Sequence, residues 1–312
     1  DWSSDVCSSD LLARALDAGA IGAWELDLLT LDAWRSPQHD RIFGYETLLP
    51  EWTYDMFLQH VVPEDRGWVD ARFQDAIAEG GRWDFECRIR RADDVVRWIS
   101  AQGKVDPGAA GRPGRMKGMV RDVTERRQGE EALRQSEEQQ AFLLALSDAL
   151  GPLTAPSEVA EVATARLCER LQADRVYHGG IAGDLVKVEQ DYTRGVPSIV
   201  GEHSLKAFGP EFIAAYKPGA VITVDDTAHD PRLTDLARAA LRDEQVAAFA
   251  DAVLFEEDGE VRVLAVQSAT PRTWTPRETD LIREVAERAR SAIKRARAEE
   301  ALHTLNATLE AR

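Results

Sequence analysis

Cysteine is nearly missing from this 312-residue chain. Only Cys7, Cys87 and Cys168 occur, and no two form a C-x-x-C pair. That excludes a disulfide framework and any familiar zinc or thioredoxin-type site. Such sparse thiols suit a reducing cytosol, so a cytoplasmic location is expected. Basic charge is short as well: 38 Lys and Arg face 55 Asp and Glu, for a formal charge of −17. So acidic a surface is a poor partner for nucleic acid or for an anionic membrane. No apolar run approaches the roughly 18 residues that span a bilayer, so no membrane contact is expected of this stretch. Catalytic constellations are missing too. None of the six histidines pairs with another at the i, i+4 spacing, with Glu, of a metal-binding helix, so no metal site is expected. The Gly-rich segment 108–114 lacks a Gly-Lys-Ser/Thr ending and lies between strands. It cannot hand an anion to a helix N-terminus, and it reads as a turn.

What is present is length and apolar content for two domains of ordinary size, with 44% hydrophobic residues. Residues 1–11, DWSSDVCSSDL, stand apart. They resemble the translation of a sequencing-library adapter, show no period of two or 3.6, and are set aside as an artefact or disordered tail. Two charged helical stretches punctuate the rest. Residues 125–150 form a heptad-like rod that Gly151-Pro152 stops. Thr275-Pro-Arg-Glu278 then opens a second helix with a capping box and Pro at the first helical position. Its apolar positions 298, 302, 305 and 309 fall at coiled-coil spacing up to Arg312. The helices 125–150 and 276–312 are therefore expected to pair in a homodimer. At ~1.5 Å per residue the first rod would reach roughly 39 Å.

Between these punctuation marks both units read as α+β. The first has a short helix at Leu12–Ala18 and strands at Gly22–Leu28 and Ala33–Ser36. Helices follow around Asp40–Phe43, Tyr54–Gln59 and Pro63–Ala78, then strands at Trp83–Ile89, Val95–Val105 and Arg115–Val123. Alternation in the first of these closing strands puts Trp83, Phe85, Cys87 and Ile89 on one face. The second unit offers a helix at Ser157–Leu171 and strands at Arg175–Ile181, Leu185–Gln190 and Ala220–Val224. A helix from Asp230 through Leu241 and a hairpin of Ala250–Phe255 with Glu260–Ser268 complete it. The last strand is apolar on both faces, as an inner, doubly covered strand is.

Several segments are recognisable in order. Arg41-Ile-Phe-Gly-Tyr45, Val62-Pro-Glu-Asp-Arg66, Phe85-Glu-Cys-Arg-Ile-Arg-Arg91, Val96-Arg-Trp-Ile99 and Gly118-Met-Val-Arg-Asp-Val-Thr124 together resemble a PAS domain, over residues 12–124. Two departures are Val62, where a His is frequent, and Asp94, where a turn Gly is frequent. Ala173-Asp-Arg-Val176, Ile222-Thr-Val-Asp-Asp226, Asp230-Pro-Arg232 and Val263-Leu-Ala-Val-Gln-Ser268 resemble a GAF domain, over residues 151–290. Residues 291–312 are similar to the coiled-coil linker that precedes a histidine-kinase transmitter. The resemblance implies an α+β fold: a five-stranded antiparallel PAS sheet with flanking helices, then an antiparallel GAF sheet between helices.

It also implies a function. The chain would be the sensory input and dimerisation region of a bacterial signalling protein, relaying a ligand or conformational signal to a C-terminal histidine kinase that is not in this sequence. The alternatives are input to a cyclic-di-GMP synthase, phosphodiesterase or phosphatase, or an interaction scaffold that senses nothing. Asp122 and Thr124 are expected to couple the last PAS strand to the rod. Candidate pocket residues are Trp24, Trp34, Phe43, Phe57, Phe85 and Trp98 in the first unit, and Tyr177, Phe208, Phe212 and Tyr216 in the second. The other reading of these aromatics is a filled core. An unidentified small molecule is the partner such pockets would take.

No cofactor signature accompanies them. His39 and His60 read as helix-surface residues rather than haem ligands. Cys87 sits on a strand and not in the Asn-Cys-Arg-like segment of a flavin photoreceptor. Cys168, on a helix and without an adjacent His, does not match a bilin attachment site, and the cyclic-nucleotide signature is not seen. His303 lacks the acidic neighbour and following Pro of a phosphoacceptor. No catalytic residue is assigned.

Overall fold

The computed structural model describes residues 19–107, 113–217, 219–256 and 259–310. Residues 1–11, the expected helix at Leu12–Ala18 and the centre of the Gly-rich turn lie outside them. The chain divides into two compact units, Asp1–Gln135 and Ser136–Arg312.

In the first unit, strands β1 (Ile21–Asp27), β2 (Ala33–Arg35), β3 (Arg82–Arg90), β4 (Val96–Pro107) and β5 (Pro113–Asp122) form a sheet ordered β2-β1-β5-β4-β3. Every pairing is antiparallel. Helices α1 (Pro37–Ile42), α2 (Tyr54–His60) and α3 (Pro63–Glu79) separate β2 from β3. The chemistry of each end is visible. Pro63 opens α3 at its first position, and Gly80, at φ +60°, closes it in the left-handed conformation. Alternation along β3 buries Trp83, Phe85, Cys87 and Ile89 as expected. Asp94 holds the β3–β4 turn at φ +63°, a conformation Asp tolerates better than most residues.

One row across this sheet decides how much room its interior has. Trp24 pairs with Gly118, Gly118 with Gly103, and Gly103 with Trp83. The indole of Trp24 lies over both glycines. A Cβ at Gly118 would come within 2.3 Å of that ring and 2.1 Å of the Gln102 carbonyl, and one at Gly103 within 2.7 Å of the ring. Trp24 then meets Trp83 edge to face, with centroids 5.8 Å apart.

Helix α4 (Thr124–Leu150) follows β5 and runs on into the second unit. There α5 (Pro156–Leu171) precedes strands β6 (Arg175–Ala182), β7 (Leu185–Thr193), β8 (Gly201–Ser204), β9 (Val221–Val224), β10 (Ala248–Phe255) and β11 (Val261–Ser268). They form an antiparallel sheet ordered β8-β7-β6-β11-β10-β9. One face packs on α5, on Leu143, Leu146 and Leu150, and on helix α8 (Pro276–Glu310). The other faces α6 (Pro210–Ile213) and α7 (Asp235–Asp243). Strand β11 is the inner, doubly covered strand its sequence predicts, buried from Val263 to Ser268.

One expected boundary is corrected, and three short elements are new. The helix expected from Asp230 begins at Asp235 instead, capped by Thr234, whose Oγ1 accepts the Ala237 N–H at 3.1 Å. Asp230 is occupied otherwise: its Oδ1 accepts the Arg232 N–H at 2.9 Å, a local turn that competes with helix. Strand β8, a 3₁₀ turn at Lys206–Phe208 and α6 were not anticipated, because elements of three or four residues carry too little periodicity.

Candidate functional site

The junction between β5 and α4 is built by side chains that continue the sheet. The last paired residues of β4 and β5 are Ile99 and Asp122. Beyond them, the Val123 N–H donates to the Trp98 carbonyl at 2.9 Å, and the Trp98 N–H donates to Thr124 Oγ1 at 2.8 Å. The hydroxyl thus serves Trp98 as the next strand residue would. The Thr124 N–H donates to Asp122 Oδ1 at 2.9 Å, which satisfies one of the orphan amides of the helix start. The first helical turn is also fixed to the sheet. Arg127 Nε donates to Glu86 Oε2 at 2.7 Å, Arg126 reaches the other Glu86 oxygen, and the Arg127 guanidinium sits 4.9 Å from the Trp98 ring centroid.

The interior of the first unit is almost full. A cavity of about 40 Å³ is bounded by Trp24, His39, Phe43, Trp52, Tyr54, Phe57 and Trp83. That suffices for water and not for a flavin or a haem. Beneath it lies a buried ion pair. Arg35 Nε donates to Asp40 Oδ1 at 2.7 Å and Nη2 to Oδ2 at 3.2 Å, with Asp40 fully buried. The Leu49 N–H adds a bond at 2.8 Å, and His39 Nδ1 lies 3.0 Å from Oδ1. Burial alone would raise Asp40; the His39, Arg35 and Leu49 donors outweigh it and take the carboxyl down to about 2. Burial lowers His39 and His60. His39, expected at a helix surface, is buried and stacked on Phe43. His60, only partly buried, bonds the Arg90 carbonyl and the Tyr45 hydroxyl.

The second unit holds a cavity of about 470 Å³ between the sheet and the segment from β8 to α7, within the size range of small-molecule sites. Its floor carries an acidic side chain in an otherwise apolar strand. Asp251, at the middle of β10, is 5% exposed; its Oδ2 accepts the Tyr216 hydroxyl at 2.5 Å, and its Oδ1 has no hydrogen-bond partner among the described residues. Burial pushes this carboxyl up to about 7, against the pull of the Tyr216 bond. Arg175, fully enclosed at the base of β6, is directed elsewhere: it donates to Gln267 Oε1 at 2.6 Å and to the carbonyls of Pro197 and Glu244.

Residues 33–120 match the family model of the PAS fold and residues 155–293 that of the GAF domain. The chain is a PAS–GAF tandem. Part of the chain is similar to curated bacterial sensors. A blue-light-activated histidine kinase of Brucella anthropi is 33% identical over 123 residues, 39% of this chain and 24% of that protein. The sensor protein FixL of Bradyrhizobium diazoefficiens is 29% identical over 122 residues, again 39% and 24%. The chain therefore spans about a quarter of the length of these relatives. Among solved structures, a sensory box histidine kinase/response regulator from Burkholderia thailandensis is 32% identical, covering 42% of this chain and 97% of that one, with a TM-score of 0.37.

The PAS unit brings Trp24, Phe43 and Phe57 together around its small cavity, along with Trp52, Tyr54 and Trp83, which the sequence did not single out for it. Phe85 is buried in the same core but does not line the cavity. Trp34 is 65% exposed on the other face of β2, and Trp98 lies on the outward face of β4 beneath Arg127. Trp98 is thus a junction residue by position. In the GAF unit Tyr177, Phe208 and Tyr216 line the cavity, while Phe212 is core beside them. Asp251 was missed, although a lone carboxylate in AFADAVLF was a visible signal. Cys87 and Cys168 are buried free thiols, pushed up by burial to about 12 and about 11, so neither is a nucleophile at neutral pH. Among the described residues no cluster of His, Cys, Asp and Glu could hold a metal ion, and no helix is long and apolar enough to cross a membrane.

Proposed function

We propose that this PAS–GAF tandem is the sensory input region of a bacterial signal-transduction protein, coupled through its helices to a C-terminal histidine kinase. The observation that carries the reading is the Thr124 hydroxyl standing in for a strand residue at the start of α4. A shift of β4 against β5 cannot leave the helix start unmoved, because Trp98, Thr124 and Asp122 share one hydrogen-bond chain. Support comes from the sensors to which part of the chain is similar, a histidine kinase and a sensor protein by name. The aromatic and ionic clamp of Arg126 and Arg127 on Glu86 and Trp98 gives the coupling its stiffness.

The output end has the form of a dimer seam. Buried positions of α8 end at Ala296, and Leu302, Leu305 and Leu309 beyond it are 60%, 56% and 60% exposed at coiled-coil spacing. A second copy of the chain, parallel to the first, would cover them. The test is made in the intact parent protein, by measuring autophosphorylation with Thr124→Val, which keeps the shape and removes the hydroxyl. Altered basal activity or lost signal response is expected. Unchanged activity and response would show that the junction does not carry the signal.

A further inference from the structure

The cavity of the GAF unit has on its floor an acidic side chain that is only half satisfied. Asp251 is more than nine-tenths buried, its Oδ1 has no hydrogen-bond partner among the described residues, and the residue forms part of the cavity floor. The titratable groups that line the cavity with it are Tyr177 on β6, Glu202 and His203 on β8, Lys206 after it, Tyr216 after α6, and Glu244 after α7; β7, β11 and α7 contribute none. Both of its side chains able to carry positive charge are turned to other carboxylates. His203 Nδ1 lies 2.9 Å from Glu244, and Lys206 Nζ lies 3.8 Å from Asp184. A buried carboxylate without a cation is costly, and the cost is relieved when a charged donor arrives.

We propose that the cavity takes a small organic ammonium ion, whose N–H donates to Asp251 Oδ1 while the rings of Tyr177, Phe208 and Tyr216 flank its hydrocarbon body. The aromatic faces attract the same positive charge that the carboxylate does. Tyr216 orients the carboxylate by holding Oδ2, so the free lone pairs are those of Oδ1. The signal read by the tandem would then be an amine, and in that respect the inference rests on the sensory reading. Binding is nevertheless measured on this chain alone. A dead cavity leaves the junction hypothesis standing, and a silent Thr124 variant leaves the binding result standing.

The experiment is calorimetric titration of the full chain at about pH 8 with butylammonium, 2-phenylethylammonium and agmatine, and with 2-phenylethanol as the uncharged counterpart. At least one ammonium should bind, and 2-phenylethylammonium about tenfold or more tightly than the alcohol, a factor of ten being 1.4 kcal/mol. Asp251→Asn should weaken the amine at least tenfold and leave the alcohol unchanged. In the wild type, lowering the pH toward about 5 should weaken the amine as Asp251 takes up its proton. No binding by any of the three amines, equal binding of amine and alcohol, or an undiminished Asp251→Asn affinity would each overturn the proposal. The amine–alcohol comparison uses the wild-type chain, so it decides even if the variant fails to fold.

Discussion

Replacing Asp251 with Asn keeps the shape of the side chain and its bond from Tyr216, and removes a charge from the middle of an apolar strand. The carboxyl stands at about 7 in the folded chain against an ordinary 3.8. A displacement of about three pH units, at 1.36 kcal/mol each, withholds roughly 4 kcal/mol from the folded state. The sign follows from which state holds the proton. Between 3.8 and about 7 the folded chain is protonated at this site and the unfolded chain is not. Stability therefore falls as pH rises through that window and levels off above it. Asn has no such term, so Asp251→Asn should stabilise the GAF unit by up to roughly 4 kcal/mol near pH 8. The gain should shrink by about 3 kcal/mol on going to pH 5. The fitting assay is amide hydrogen exchange of peptides from β10 and β11 against urea at both pH values, which reports this unit and not the PAS unit. An Asn variant no more stable than wild type, or a gain independent of pH, would mean that Asp251 carries no uncompensated charge in the folded chain.

Other substitutions probe the rest of the chain. Gly118→Ala drives a methyl group into Trp24 and the Gln102 carbonyl, and should cost the PAS unit about 3 kcal/mol or more in denaturant titration. Asp40→Ala strands the buried Arg35 guanidinium and should cost about 3–5 kcal/mol. Because Asp40 is depressed to about 2, its stabilisation is complete above pH 3.8 and is lost as pH falls through 2, which an acid titration of the PAS unit would follow. Thr275→Ala breaks the capping box by removing the Oγ1 that accepts the Glu278 N–H at 3.3 Å and donates to Glu278 Oε2 at 2.9 Å, and should lower thermal stability by about 1 kcal/mol. Leu302→Glu with Leu305→Glu should turn the proposed homodimer into a monomer in light-scattering chromatography; an unchanged mass would refute the seam proposed on α8.

The sheet strands were legible wherever one face was buried. Trp83, Phe85, Cys87 and Ile89 alternate with Asp84, Glu86 and Arg88, and the structure buries the first set. What stayed hidden was which face of a lesser strand looks inward. Trp34 and Trp98 are aromatic like Trp24, but inwardness is set by register. Trp24 faces in because it pairs with Gly118, and Trp98 faces out because Ile99 and Ala101 are its inward neighbours. His39 read as a surface residue because α1 has only six residues, too few to show a face. Its burial depends on Trp52, brought against its ring by tertiary packing, while its Nδ1 bonds the adjacent Asp40. Asp251 was readable in principle, since an ionisable group in a doubly covered strand has to answer for its charge.

The Trp24 indole lying across Gly103 and Gly118 means that the PAS unit carries its own guest. The volume that another chain could give to a small molecule is here occupied by a covalently tethered ring. Trp24→Gly would vacate an indole-shaped hole over two glycines, and free indole added to that variant should refill it and restore the lost stability. The unit would become a switch that a chosen molecule turns, by way of the same strand that leads into α4.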